Sequence, residues 1–242
     1  MIEETSDEKL LGVRFSNNFS WNSHLYGNKL QGKDKVTGLI PKLSQRVGML
    51  GQLNRYMTRN QFNLVCDRIF TSCLLYCLPL FCNVWGLPSM EDTARRFTTF
   101  TKEDCRKLQV LQNKVLRLKT KKYDLNVPTS DLLDSTGDLS VHQLGAYHTI
   151  ATVHRILRTG QPKYLADKLI LNKSREDQAF PSRQLNTITV KCRLTLTKSG
   201  FLYRIARIWN LLPTELRGEV KAEAFKDSVK NWIREHVPRK PP

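Results

Sequence analysis

Residues 101–122 read TKEDCRKLQVLQNKVLRLKTKK, and this stretch sets the class of the chain. Thr101 followed by Asp104 has the pattern of a helix N-cap with an acidic partner three residues on, which satisfies amides that a helix start leaves open. At about 100° per residue, Cys105, Leu108, Leu111, Val115 and Leu118 fall on one side and predict a stripe facing a core. Lys107, Lys114, Arg117 and Lys121 fall on a second arc, a cationic ridge beside that stripe. Lys and Arg also gather in the last turn, where the helix dipole favours them. Two readings stand: a solvated basic face on a packed helix, or a helix laid along a phosphate backbone.

Helical spacing recurs on both sides. Upstream, Val36, Leu39, Ile40, Leu43, Val47, Leu50 and Leu53 repeat at helical intervals, and Pro41 calls for a kink there or a start near Ile40. Thr58 with Gln61 resembles a capping box for the next segment. In it Phe62, Val65, Cys66, Ile69, Cys73, Tyr76 and Cys77 share a face until Pro79 bends or ends the helix. No charge lies between Arg68 and Glu91. A membrane span needs about 20 predominantly apolar residues, and polar and proline residues interrupt this run, so a buried core helix is the expectation. Nearest the N-terminus, Leu11, Val13 and Phe15 alternate with Gly12 and Arg14 as in a short half-buried strand, followed by the turn signal Ser16-Asn17-Asn18. No hairpin mate is evident nearby, so that strand is expected to pair at a distance or with missing sequence.

Downstream, residues 91–100 read as a polar connection, 123–128 as extended, and 129–133 as a short helical turn. Ser140 with Gln143 suggests a cap for a helix running to about Thr159, stopped by Gly160 and Pro162. His142, His148 and His154 are spaced by six, which scatters them around that helix as packing or surface residues. A short helix at 162–169 and a polar loop at 172–182 follow. Residues 185–197, LNTITVKCRLTLT, alternate like a strand, with Ile188, Val190, Cys192, Leu194 and Leu196 opposite Thr189, Lys191, Arg193 and Thr195. Gly200 opens a helix with Phe201, Ile205, Ile208 and Leu212 inward and Tyr203, Arg204 and Arg207 not. A last helix over about 222–236 buries Phe225, Val229, Trp232 and Ile233.

The 242 residues suffice for one large domain or two small ones, and 40% hydrophobic content argues against disorder. With 39 basic against 22 acidic residues, the formal charge is +17. Such a charge points to nucleic acid first and an anionic membrane surface second. The excess is not confined to a tail: residues 179–213 contain no acid but carry Arg183, Lys191, Arg193, Lys198, Arg204 and Arg207. No secretory signal is apparent, and Cys66, Cys73, Cys77 and Cys82 read as small buried hydrophobes in a reducing compartment. There is no Cys-x-x-Cys and no histidine with ligand spacing beside a cysteine, so no zinc or other cofactor is expected.

Several segments, in this order, resemble the C-terminal part of reverse transcriptases from non-LTR (LINE-type) retrotransposons. They are LGVRFSNNFSWNSHL at 11–25, KLSQRVGML at 42–50, LLYCLPLFCNVWG at 74–86, LQVLQNKVLRL at 108–118, and GFLYRIARIWNLLPTELR at 200–217 with AFKDSVKNWI at 224–233. The resemblance implies a residual end of the palm at 1–25, a thumb-like helical region at 26–122 and a helical C-terminal extension at 123–242. The fold class expected is mainly α: a thumb-like helical bundle with a short N-terminal strand and a small β element near 185–197.

The same family carries its catalytic metals on a Tyr-x-Asp-Asp turn. This chain has no Asp-Asp pair, and Glu91-Asp92, Glu103-Asp104 and Glu176-Asp177 read as solvated or capping groups. No catalytic residue carries over, and no enzyme activity is expected of the chain alone. The function implied is a polymerase fragment that holds RNA, or an RNA–DNA or DNA duplex, by its backbone, with the missing polymerase portion as a further partner. The alternative is a catalytically inert structural or interaction protein from a truncated element. The residues expected to grip are Lys107, Lys114, Arg117, Lys121 and Lys122 first, then Lys198, Arg204 and Arg207 beside Tyr203, where a ring could stack on an unpaired base. An intracellular location, cytoplasmic or nuclear, goes with that reading.

Overall fold

A computed structural model describes residues 7–17, 20–27, 37–82, 84–87, 100–171, 187–189, 201–218 and 221–242. The described elements are mainly α-helical with two short antiparallel strand pairs, the class expected from the sequence. They fall into two compact units: residues 1–83, 98–144 and 239–241, and residues 84–97 and 145–238 with Pro242.

The first unit opens with a hairpin. Strand β1 (Asp7–Leu10) pairs with β2 (Val13–Ser16), with Lys9 opposite Arg14 and Leu10 opposite Val13. Leu11 (φ 49°) and Gly12 (φ 83°) make a two-residue turn with both residues left-handed, the form that suits a twisted hairpin. The expectation that no mate lies nearby is therefore corrected. The mate is DEKL, whose charged, unbranched residues give no strand signal. Leu11, expected inside, sits in the turn and is 83% exposed, while Val13 is buried. The Tyr76 hydroxyl donates to the Leu11 carbonyl, and its ring lies against Gly12, which ties the turn down.

Helix α1 (Asn22–Tyr26) follows, and α2 runs Leu39–Leu53. Pro41 sits in the first turn of α2, where its missing amide is least costly, so the helix starts at it rather than kinking. A Cβ on Gly38 would lie 2.4 Å from the backbone at Tyr26 and Gly27. Only glycine allows that approach, which brings the start of α2 against the end of α1.

Helix α3 (Arg59–Cys66) begins at the capping box expected at Thr58 and Gln61. It continues through a π-helical turn (Asp67–Thr71) into α4 (Ser72–Leu75). The wider turn moves the buried face by roughly one residue. Phe62, Cys66, Phe70, Leu74 and Leu78 are buried, whereas Ile69 and Cys73 are only half-buried and Tyr76 is exposed. That corrects the predicted face beyond Cys66, because an ideal 3.6-residue period assumes no bulge. Cys77 (φ 59°) ends this run, and α5 (Leu78–Phe81) restarts with Pro79 near its beginning. Residues 59–81 are long and apolar enough to cross a membrane by length and composition, with a mean hydropathy of 1.6 over their most apolar 18 residues.

Helix α6 (Lys102–Thr120) packs against α2, α3 and α7 (Thr129–Thr136). Its start is the expected box: the Thr101 amide donates to the Asp104 carboxylate at 2.9 Å, and the Asp104 amide donates to Thr101 Oγ1 at 3.1 Å. Cys105, Leu108, Leu111 and Val115 are buried as predicted. Leu118 is only half-buried, and Leu116 takes its place against Leu132 and Leu133. A polar edge of α6 fixes the next two helix starts. Asn113 donates to Thr129 Oγ1 at 2.8 Å, and Gln109 accepts the Val141 amide at 2.8 Å.

Helix α8 (Val141–Thr159) begins in the first unit, capped by Ser140 and Gln143 as expected, and continues into the second. There His154 stacks on Phe225 (ring centroids 3.8 Å apart, planes at 12°), and Trp209 lies beside it at 6.1 Å. These rings join α8 to α10 (Phe201–Asn210) and to α12 (Ala222–His236), with α9 (Lys163–Ala166) and α11 (Thr214–Gly218) between. His142 and His154 are buried and His148 half-buried, the packing role predicted for them. Strand β3 (Ile170–Leu171) pairs with β4 (Ile188–Thr189), and Asn210 bonds both the amide and the carbonyl of Ile188 (2.7 and 2.9 Å). The rest of the predicted strand at 185–197, the connection at 91–99, the loop at 172–182, Val36, Gly200 and Lys198 lie outside the described residues.

Candidate nucleic-acid interface

On α6 the predicted ridge separates into free and occupied cations. Lys107 lies over the Tyr26 ring (4.8 Å to the centroid) and donates to its hydroxyl at 3.0 Å. Tyr26 in turn donates to the buried Asp104 carboxylate. Burial and then that hydrogen bond push the Tyr26 hydroxyl pKa up, and the bond that Lys107 donates to Tyr26 raises Lys107. Arg117 folds back over the loop after α6, reaching the carbonyls of Asp124, Leu125 and Val127 at 3.4 Å each. Lys114, Lys121 and Lys122 are exposed. Lys107, Lys114 and Lys121 recur every seventh residue, so they stand about 10 Å apart along the axis, roughly three phosphate steps of one strand.

Lys119, not among the predicted contacts, points the other way. Its side chain is 10% exposed and bridges Asp67 on the π turn (2.9 Å) and Asp138 (3.4 Å). Desolvation lowers its pKa, but Asp138 and Asp67 together outweigh it and the net shift is upward. This lysine belongs to the fold.

The second predicted group lies on α10, in the other unit. Tyr203, Arg204 and Arg207 are all half-buried, and Arg207 sits over the Tyr203 ring at 5.4 Å with its guanidinium 3.4 Å from the hydroxyl. A base could stack on that ring only from the side that Arg207 leaves open.

A third group was missed. Between the hairpin, α1, the start of α2 and α4 is a cleft of about 420 Å³ lined by Lys9, Arg14, Lys42 and Arg46, together with His24, Ser72 and Tyr76. Among the described residues, no carboxylate lines it. Lys9 and Arg14 are cross-strand partners, and Lys42 and Arg46 are four apart on α2. Both are like-charge arrangements that weaken a fold in isolation. Arg46 donates to the Ile69 carbonyl and is fixed by it. His24 is 8% exposed, packed edge-on against Phe81 (5.5 Å), and its Nε2 is buried without a hydrogen-bond partner. Burial and then the Lys42 charge depress its pKa, which keeps the ring neutral near pH 7. The sequence held one signal for this site: the Lys42 and Arg46 pair one turn apart. The other half needed the hairpin.

The chain matches no family model, no curated protein and no solved structure. Its chemistry therefore rests on the geometry. Among the described residues, no three His, Cys, Asp or Glu side chains gather to hold a metal ion. The described cysteines are all free thiols. Cys66 and Cys82 are buried, as expected, while Cys73 and Cys77 are half-buried. Burial pushes Cys66 up to about 11 and Cys105 higher still, so both stay protonated and unreactive at neutral pH. What the first unit offers is concentrated positive charge beside one unpartnered buried imidazole, an arrangement suited to bound phosphate.

Proposed function

We propose that the chain holds nucleic acid by its phosphate backbone, the cleft beside the hairpin and the free lysines of α6 forming the contact surface. The observation that carries this reading is the cleft: four cations from three elements, with no acid lining it among the described residues and a neutral histidine whose Nε2 lacks a partner. A bound phosphate removes the mutual repulsion and supplies Nε2 with a hydrogen-bond partner. Backbone contacts of this kind position a strand without reading its sequence.

The resemblance to the thumb and C-terminal extension of non-LTR reverse transcriptases supports the same reading. It makes the chain a polymerase-derived fragment without catalytic aspartates, inert in nucleotide addition and located with RNA in the cytoplasm or nucleus. On this reading residues 59–81 are a core helix, with Asp67 held by Lys119, rather than a membrane span. Titrating salt against binding of RNA and of duplex tests the proposal. Engagement of several phosphates gives a log–log slope of about −0.7 per contact for single strands and −0.9 for B-form duplex. Negligible affinity for both even at low salt would refute it, and binding to acidic liposomes without RNA binding would move the charge to a membrane role.

A further inference from the structure

Two loops of the first unit lie side by side where α2 and α6 end. Asn54 donates its amide to the Tyr123 hydroxyl at 3.2 Å, which joins the turn after α2 to the turn after α6. On this joint Tyr56 is 79% exposed and Tyr123 58% exposed. Rings of that size bury readily in a core, and two of them held out to solvent on linked loops are a surface feature that folding does not account for. The Arg55 guanidinium lies 5.9 Å from the Tyr56 ring centroid. Lys121 (φ 56°) ends α6 in a left-handed turn that carries Lys122 and Tyr123 outward, all three exposed. Among the described residues of these two loops the one acid is Asp124, whose side chain accepts the Asn126 amide at 2.8 Å. Three cations thus flank two open rings against a single carboxylate already engaged in its own turn.

We infer that Tyr56 and Tyr123 form a stacking platform for unpaired bases of a single-stranded nucleic acid, with Arg55, Lys121 and Lys122 holding the adjoining phosphates. Every base has a π face, so such a platform tolerates sequence, and paired bases cannot reach it. Asn54 spends one of its amide N–H donors on Tyr123, so its first role is to fix the joint. This deepens the backbone-binding reading and rests on it for the nature of the partner. The cleft supplies strand-independent affinity, and the platform supplies preference for single strands.

The test compares the full chain with Tyr56→Leu/Tyr123→Leu, which keeps apolar bulk and removes the rings, and with Tyr56→Phe/Tyr123→Phe, which keeps the rings. Binding of a short unstructured RNA and of a blunt duplex is measured at one salt concentration, with 2-aminopurine in the RNA to report stacking. The Leu variant is expected to lose about tenfold to a hundredfold for the single strand with duplex affinity unchanged, and to lose the 2-aminopurine quenching. The Phe variant retains both. Equal losses for both nucleic acids, no loss for either, or an unquenched probe with the native chain would overturn the platform. Lys9→Gln/Arg14→Gln/Lys42→Gln separates the two ideas, because it should weaken both nucleic acids while leaving the quenching at saturation intact. If that variant changes nothing and the Leu variant still discriminates, the cleft reading falls and the platform stands.

Discussion

Helix α6 and the cleft beside the hairpin carry comparable positive charge and use it differently. On α6 the cations are largely employed by the fold. Arg106 forms a two-pronged bond with Glu103 (2.7 Å on each prong), Lys119 bridges two aspartates, Lys107 is held by Tyr26, and Arg117 closes a loop. In the cleft, four cations converge on a space with no carboxylate among the described residues of its wall. A charge that satisfies an internal partner is explained by that partner. A cluster of like charges whose lining includes no acid among the described residues favours an external anion. Net charge of +17 therefore indicates only that an anionic partner is plausible, and the pairing pattern indicates where.

The comparison breaks most visibly if the cleft is discharged. Lys9→Gln/Arg14→Gln/Lys42→Gln should reduce RNA affinity at least tenfold at low salt and flatten the salt slope by about 2, at roughly 0.7 per lost single-strand contact. Lys114→Gln/Lys121→Gln on α6 should flatten it by only about 1.4, with a smaller loss. If the α6 pair costs more than the cleft triple, the helix is the main contact surface and the order proposed here is reversed. Anisotropy titrations across a salt series decide this.

Lys119→Met sharpens the other half. It leaves Asp67 and Asp138 facing a low-polarity gap, but both carboxylates keep access to water, so the loss is about 1–2 kcal/mol and not the larger cost of a fully buried pair. Thermal unfolding should fall by roughly 2–8 °C while RNA affinity stays unchanged. A loss of affinity without loss of stability would mean that Lys119 touches ligand.

The smallest effect is a pH dependence. His24 and His148 both have pKa values depressed below the ordinary 6.5, His24 by burial and Lys42, His148 by burial alone. The unfolded chain takes up these protons more readily than the native one. Stability is therefore unaffected above about pH 6.5 and declines as pH falls below it. Phosphate in the cleft favours the protonated imidazole, so RNA affinity should rise modestly as pH is lowered through 7 to 6, and His24→Gln should abolish that rise. His148→Gln should leave it in place.

Much of the helical framework was legible because caps and periodicity are local. The boxes at Thr58, Thr101 and Ser140 and the buried face of α6 as far as Val115 follow from residues within a few positions of one another. The reading failed where one element altered the phase of another. The π turn at Asp67–Thr71 moved the inward face from Ile69 and Cys73 to Phe70 and Leu74. The mate of β2 was unrecognisable because DEKL is a strand only by virtue of its turn. The cleft was hidden for the same reason: Lys9 and Arg14 become neighbours only through Leu11-Gly12, and they meet Lys42 only because Gly38 lets α2 approach α1. The ridge cations were identifiable by type and spacing, yet spacing does not reveal that Arg117 folds back on its own loop.

The most direct measurement is the side-chain ¹⁵N resonance of His24 Nε2 during titration with a short RNA. Occupation of the cleft by phosphate predicts a progressive, saturable shift of Nε2 toward the hydrogen-bonded or protonated range, in step with affinity and suppressed by high salt. An unmoved His24 resonance in a chain saturated with RNA would contradict the account and place the contact surface elsewhere.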